Sequence, residues 1–91
     1  MEYVVIMYSN VNGENSSAMG PYSEEDALTV LCNIHQNYLS EMEDETYMED
    51  YKGAALEDEN LDKGFFSVRW PESEFIIFTL CRLERIGCFG V

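Results

Sequence analysis

Three thiols and one imidazole are the side chains of this sequence that could hold a transition metal. Cys32 and His35 lie one helical turn apart, and Cys81 and Cys88 come much later in the chain. Zinc accepts such a donor set, but its sites use closely spaced pairs such as Cys-x-x-Cys, and the sequence contains none. We therefore predict no metal and no other cofactor. The cysteines are expected to be small buried apolar residues, and His35 a residue of the core or its boundary.

A calcium loop is the second chemistry that the spacing of oxygen-bearing residues suggests. The segment from Asp58 to Gly64 alternates its oxygen ligands as the start of an EF-hand loop does. That loop needs glycine at its sixth position and a bidentate acid at its twelfth, where this sequence has Lys63 and Arg69. Calcium binding is therefore not predicted.

No catalytic constellation is visible in the sequence. Cys32 and His35 could form a thiol–imidazole pair on one helical face, but no oxyanion donor accompanies them. The paired carboxylates lie in a solvated acidic run, where raised pKa values are not expected. The sequence has neither a glycine-rich phosphate loop nor a Gly-x-Ser-x-Gly motif. We therefore expect a protein that is not an enzyme.

The charge balance is the most unusual property of the chain. Eighteen acidic residues stand against five basic ones, for a net charge of −13. The 23 residues from Ser40 to Asp62 hold ten acids and one base, Lys52, so this stretch alone carries −9. Direct binding to nucleic acid or to an anionic membrane is disfavoured by repulsion, whereas a basic protein partner is favoured.

Residues 41–62, called the acidic segment below, are predicted to contact such a partner. Acids spaced along a helix or loop can imitate the phosphate row of a nucleic acid, and interleaved tyrosines add contact area. Tyr47 and Tyr51 are the expected anchors. The predicted contact residues are Glu41, Glu43, Asp44, Glu45, Tyr47, Glu49, Asp50, Tyr51, Glu57, Asp58, Glu59 and Asp62.

A long amphipathic helix is predicted from about Glu24 to about Met42. Ser23 occupies the N-cap position, and acidic residues fill the first turn, where they suit the helix dipole. Gly20-Pro21 is expected to lead into this helix. The apolar face recurs at spacings of three and four. Its residues are Ala27, Leu28, Leu31, Ile34, His35, Tyr38, Leu39 and Met42.

Strands are predicted at the two ends of the chain. Tyr3–Tyr8 and Phe75–Leu83 are apolar on both faces, which indicates strands inside a sheet with both faces covered. Phe65–Trp70 alternates apolar and mixed positions and forms a hairpin with the last strand. A short strand over Ser16–Met19 is also expected. Within the acidic segment we expect a short helix or an ordered loop.

These elements predict a single α+β domain over residues 1–91, with the acidic segment as a connection inside it. Three or four mainly antiparallel strands would carry the long helix on one face. The other face also needs cover, which the short middle helix or a second copy of the protein could supply. An odd cysteine count, an acidic residue near the N-terminus and no long apolar run favour a cytoplasmic protein.

The beginning of the chain resembles small phage-encoded proteins. The resemblance covers roughly the first 40 residues and lies in a strand, a polar turn and Gly20-Pro21-Tyr22-Ser23-Glu24-Glu25-Asp26-Ala27 leading an amphipathic helix. It implies an accessory protein of the anti-CRISPR or anti-restriction type, which occupies the nucleic-acid-binding surface of a host protein.

Three hypotheses follow from the sequence, and the least favoured is metal binding through Cys32, His35, Cys81 and Cys88. The first is a small acidic binding protein that inhibits or modulates a basic, nucleic-acid-handling host protein as a nucleic-acid mimic. The alternative is an assembly module that forms a homodimer through apolar sheet surface, with the acids serving only solubility.

Overall fold

The computed structural model describes residues 2–11 and 16–83 of the chain. These residues form five strands and one long helix. The elements are β1 (Glu2–Ser9), β2 (Ser17–Tyr22), α1 (Glu24–Met42), β3 (Ala55–Asn60), β4 (Phe65–Arg69) and β5 (Phe75–Leu83). Short 3₁₀ helices at Glu45–Tyr47 and Leu61–Lys63 flank β3. The predicted α+β class is confirmed, but the described residues form five strands and not three or four.

The sheet is antiparallel throughout and has the strand order β2-β1-β5-β4-β3. The predicted strand Phe75–Leu83 has those bounds and lies at its centre. β1 pairs with β5 along its whole length, from Glu2 opposite Leu83 to Ser9 opposite Ile76. The chain therefore joins its first and last described strands side by side in the middle of the sheet.

Strand β3 is the element that the sequence did not predict, and it lies inside the acidic segment. It is an edge strand whose Leu56 lies opposite Val68 and packs against the core, while its acids are exposed. Asp58 interrupts the pairing with β4 at a left-handed φ of 53°. Acidic residues are rare in strands, so the composition of β3 did not predict a strand. At the edge of a sheet, charged residues prevent pairing with other chains.

Helix α1 begins and ends where its sequence pattern predicts. The Ser23 hydroxyl caps it by accepting a hydrogen bond from the Asp26 backbone N–H at 3.1 Å. Gly20-Pro21 was assigned wrongly to the approach to this helix. The two residues lie within strand β2, which ends at Tyr22, opposite Tyr3 of β1, before the chain turns into the helix.

The core lies between α1 and one face of the sheet. Ala27 and Leu31 of the helix are buried there, and Phe66 stacks on Phe78 with 4.9 Å between ring centroids. The fully or almost fully buried apolar residues are Val5, Ala27, Leu31, Phe66, Val68, Ile76 and Phe78. All five strand residues among them lie on the face that α1 covers.

The opposite face, called the open sheet face below, is not covered by any described element. Alternation along the strands places β1 and β5 residues there that the sequence analysis expected to be covered. Among the described residues the short middle helix does not supply this cover, because the 3₁₀ helix Glu45–Tyr47 contacts α1. Cover by a second copy stays a prediction. The apolar and small residues of the open sheet face are Val4, Ile6, Tyr8, Ala18, Phe65, Phe75, Ile77, Thr79 and Cys81. The same register places Glu2, Glu57, Ser67, Arg69 and Leu83 on this side.

Candidate functional site

A cleft of about 820 Å³ opens at the C-terminal end of α1, between residues 49–53 and the turn that joins β4 to β5. Tyr38, Tyr51 and Trp70 provide its aromatic wall. Carboxylates line it from two separate parts of the chain, namely Glu49, Asp50, Glu72 and Glu74. We call this site the acidic cleft.

The aromatic wall is held by ring contacts and by hydrogen bonds. Tyr51 stacks on Trp70 with 6.1 Å between centroids and 16° between ring planes, and Tyr38 meets Tyr51 edge to face. The Trp70 indole N–H donates to the backbone oxygen of Asp50 at 2.9 Å. The Trp70 backbone N–H donates to the Glu74 carbonyl at 2.9 Å. Trp70 therefore ties the acidic segment to the β4–β5 hairpin.

Tyr51 is fixed by its hydroxyl as well as by its ring. The phenol O–H donates to a carboxylate oxygen of Glu41 at 2.8 Å. Partial burial of the ring, and then this hydrogen bond and the charge of Glu41, raise the pKa of Tyr51 well above its ordinary value. The phenol is therefore a neutral donor across the physiological pH range.

The rim of the cleft combines predicted and unpredicted residues. Glu49 and Asp50 belong to the predicted contact residues, whereas Glu72 and Glu74 do not. Trp70 was predicted only as a strand residue. Glu72 and Glu74 lie in the short turn between β4 and β5, and nothing in the sequence places that turn beside residues 49–53.

The acids of β3 form a second group, and Arg69 partly neutralises two of them. Arg69 lies 3.9 Å from Glu57 and 3.6 Å from Asp58, and its guanidinium sits over the Phe75 ring. His35 Nε2 lies 2.6 Å from Glu59. The acidic cleft also holds one basic side chain, Lys52, beside its four carboxylates. It keeps the larger excess of negative charge, because Arg69 alone contacts two of the three β3 carboxylates.

The remaining predicted contact residues lie near the end of α1 or in the second 3₁₀ helix. Asp44 caps the 3₁₀ helix Glu45–Tyr47 by accepting the Thr46 backbone N–H at 2.9 Å. Tyr47 is 38% exposed and does not line the cleft. Glu43, Glu45 and Asp62 are also exposed. Six of the twelve predicted residues therefore lie in the two groups and six lie outside both, so they do not form one continuous row.

The cysteines do not gather at a site within residues 2–11 and 16–83. Cys32 is exposed on α1, and Cys81 is exposed on the open sheet face, so the expectation that both are buried is wrong. Cys88 lies outside the described residues. His35 packs its ring edge against Phe66 at the margin of the core, as expected. No group of three or more potential metal ligands occurs in the part of the chain that is described.

Fold and cleft together define a small α+β protein with an acidic, aromatic-lined surface site. Comparisons with family models, with curated proteins and with solved structures found no match for this chain. In the described part of the chain, α1 and its shorter neighbours are not long and apolar enough to span a bilayer. A function must therefore be argued from the residues and their geometry.

Proposed function

We propose that the protein binds a positively charged protein partner through the acidic cleft, and so inhibits or modulates a partner that handles nucleic acid. The observation that best supports this function is the stacked Tyr51–Trp70 pair within a rim of four carboxylates. A guanidinium or ammonium group gains cation–π attraction and charge-assisted hydrogen bonds in such surroundings. A lysine or arginine side chain of the partner is the group that the cleft fits.

The cleft is organised before a partner arrives, which supports a binding role. Trp70 is anchored to Asp50 and Tyr51 to Glu41, so neither ring has to be ordered on binding. Immobilising a side chain at an interface costs about 0.5 to 1.5 kcal/mol, and this cost is already met within the folded chain.

The partner class follows from charge. A protein surface rich enough in lysine and arginine to match this site is typical of proteins that neutralise phosphates. Glu57, Asp58 and Glu59 extend the negative surface along the β3 edge. Attraction of this kind speeds association and weakens as salt increases. The protein would occupy the positive surface of its partner in place of a nucleic acid.

A labelled peptide of alternating arginine and glycine tests the cleft. The variant D50N/E72Q/E74Q removes three rim charges and leaves the Asp50 backbone oxygen that holds Trp70 in place. We expect its affinity for the peptide to fall about tenfold or more, since each surface ion pair is worth about 0.5 to 1 kcal/mol. Trp70 is the single tryptophan of the chain, so its emission reports occupancy of the cleft directly.

A matched control removes three exposed carboxylates that do not line the cleft, in the variant E2Q/E25Q/D62N. It carries the same net charge as the cleft variant, and we expect it to bind nearly as well as the native protein and to keep the Trp70 response. Equal loss in both variants, or peptide binding without any change in Trp70 emission, would contradict the proposal.

Competition tests the partner class. A protein captured from extracts of the source cell should be released from the immobilised native protein by duplex DNA at constant ionic strength. A captured partner that resists an excess of DNA would not be held through a nucleic-acid-binding surface.

A further inference from the structure

The open sheet face is an apolar surface that the proposed binding function does not use. Val5 and Phe78 point toward α1, and their strand neighbours Ile6 and Ile77 therefore point away from it. Tyr8 stacks on Phe75 at this face with 5.8 Å between centroids, and 55% of its surface is exposed. An apolar surface of this kind on a small domain marks an interaction site.

Charge is excluded from the middle of this face, although the chain has eighteen acidic residues. Among the described residues on this side, Glu2 lies at one end of β1, and Arg69 contacts Glu57 and Asp58 near the β3 edge. The Arg69 guanidinium also extends over the ring of Phe75 at the start of β5, so the uncharged part of the face is centred on β1 and the rest of β5. The centre therefore offers nothing to a basic partner, and it is distinct from the acidic cleft on the α1 side.

We propose that two copies of the protein pack through the open sheet face. The apolar centre of this face is complementary to itself, as a two-fold interface requires. The covering elements available within the described residues, α1 and the two 3₁₀ helices, all lie on the other side. The acidic clefts of both copies would face outward.

The size of the face is sufficient for such an interface. Five strands of five to nine residues, about seven on average, lie about 4.8 Å apart and present roughly 550 Å² in projection. Two copies would then bury on the order of 1,100 Å² in total, which is above the roughly 1,000 Å² that a specific interface needs. The two sheets would stack about 10 Å apart, as in a β-sandwich. The inference does not depend on the proposed binding function.

Two native thiols provide the test. Cys81 lies on the open sheet face and Cys32 on α1, and both are exposed in one copy. Iodoacetamide labelling, resolved by peptide mass spectrometry, gives a separate rate for each. At about a hundred times the dimer dissociation constant we expect labelling of Cys81 to slow about tenfold relative to dilute protein, because only free copies expose it. The rate at Cys32 should not change.

A charge placed on the face gives a second measurement. The variant I77K should stay a monomer in light scattering and label Cys81 quickly at all concentrations. Its control Q36K adds the same charge at an exposed position of α1 and should dimerise as the native protein does.

Slow labelling of Cys81 at every concentration would mean that another part of the same chain covers the open sheet face. Fast labelling of Cys81 together with a monomeric mass at every concentration would mean that the open sheet face does not pair with a second copy and is available to a different protein. Either result overturns the proposal.

Discussion

Tyr51 connects three parts of the molecule through one side chain. Its ring lies between Tyr38 of α1 and Trp70 at the end of β4, and its hydroxyl is bound to Glu41. The raised pKa of Tyr51 means that the folded protein holds the phenol proton more tightly than the unfolded chain does. This difference stabilises the fold fully below the unfolded pKa and is lost as pH rises through the folded pKa.

Removal of the Tyr51 hydroxyl should therefore weaken the alkaline dependence of stability. We expect the urea midpoint of the native protein to fall more steeply above the ordinary tyrosine pKa of 10.0 than that of the variant Y51F. The measurement is a series of urea titrations at increasing pH, followed by circular dichroism. The variant E41Q, which keeps the phenol but removes the charged acceptor, should fall between the two.

Parallel pH profiles for Y51F and the native protein would mean that Tyr51 does not contribute to alkaline unfolding.

At the scale of single residues, the role of Tyr51 as an anchor stays a prediction, and its surroundings were not predicted from the sequence. Glu41 and Trp70, its two main partners, are 10 and 19 positions away, as the numbering shows. Contacts between separate elements are set by tertiary packing, which leaves no periodic signal in the chain. The same reason explains why Glu72 and Glu74 were not predicted as parts of the cleft.

Among the elements, those with strong local signals were predicted best. Helix α1 has a capping serine and a regular apolar face, and its bounds agree with the prediction. Strand β5 is a continuous apolar run bounded by a turn, and its bounds agree as well. Strand β3 has only Leu56 as an inward apolar residue, so its place in the sheet depends on pairing with β4 rather than on its own composition.

Gly64 is the residue that allows the chain to turn from β3 into β4. It adopts a left-handed φ of 77°, and its backbone oxygen accepts a hydrogen bond from the Leu80 N–H at 2.8 Å. A Cβ atom at this position would lie 2.6 Å from the Leu80 Cβ, closer than real Cβ contacts occur. Only glycine satisfies both the backbone angle and the space.

The variant G64A should consequently lose stability. We expect about 2 kcal/mol, from the combined cost of a left-handed alanine and of displacing Leu80. Urea unfolding provides the measurement. The neighbouring variant K63A, at an exposed position, should change stability by no more than about 0.5 kcal/mol. If G64A were as stable as K63A, the contact between Gly64 and Leu80 would not constrain the turn.

For the whole molecule, the distribution of charge is more informative than its sum. Acids occupy the first turn of α1, the rim of the cleft and the β3 edge, while the centre of the open sheet face has none in the described part of the chain. A net charge of −13 on one small domain also repels itself. This repulsion opposes the compact state whatever partner the protein binds.

Added salt should therefore stabilise the fold. The Debye length falls from about 30 Å at 0.01 M to about 8 Å at 0.15 M, so we expect the melting temperature to rise by a few degrees over this range. Differential scanning calorimetry provides the measurement, with sucrose of equal osmolality as an uncharged control. A melting temperature that stays constant or falls as salt is added would contradict the prediction that charge repulsion destabilises the fold.

Binding to a basic partner should respond to salt in the opposite direction, since the attraction is screened. If the complex dissociates at high salt while the melting temperature of the protein rises, the dissociation results from screening of the attraction and not from unfolding of the protein.

The pairing of β1 with β5 has a consequence for synthesis on the ribosome. Asn10 accepts the Phe75 backbone N–H at 2.6 Å and donates to the Ser73 carbonyl at 3.0 Å, across 65 and 63 positions of the chain. The nascent first strand thus lacks its central neighbour until the last strand has been translated and released from the exit tunnel. Contacts between such distant positions slow folding. We expect the emerging polypeptide to need chaperone protection of β1 until then.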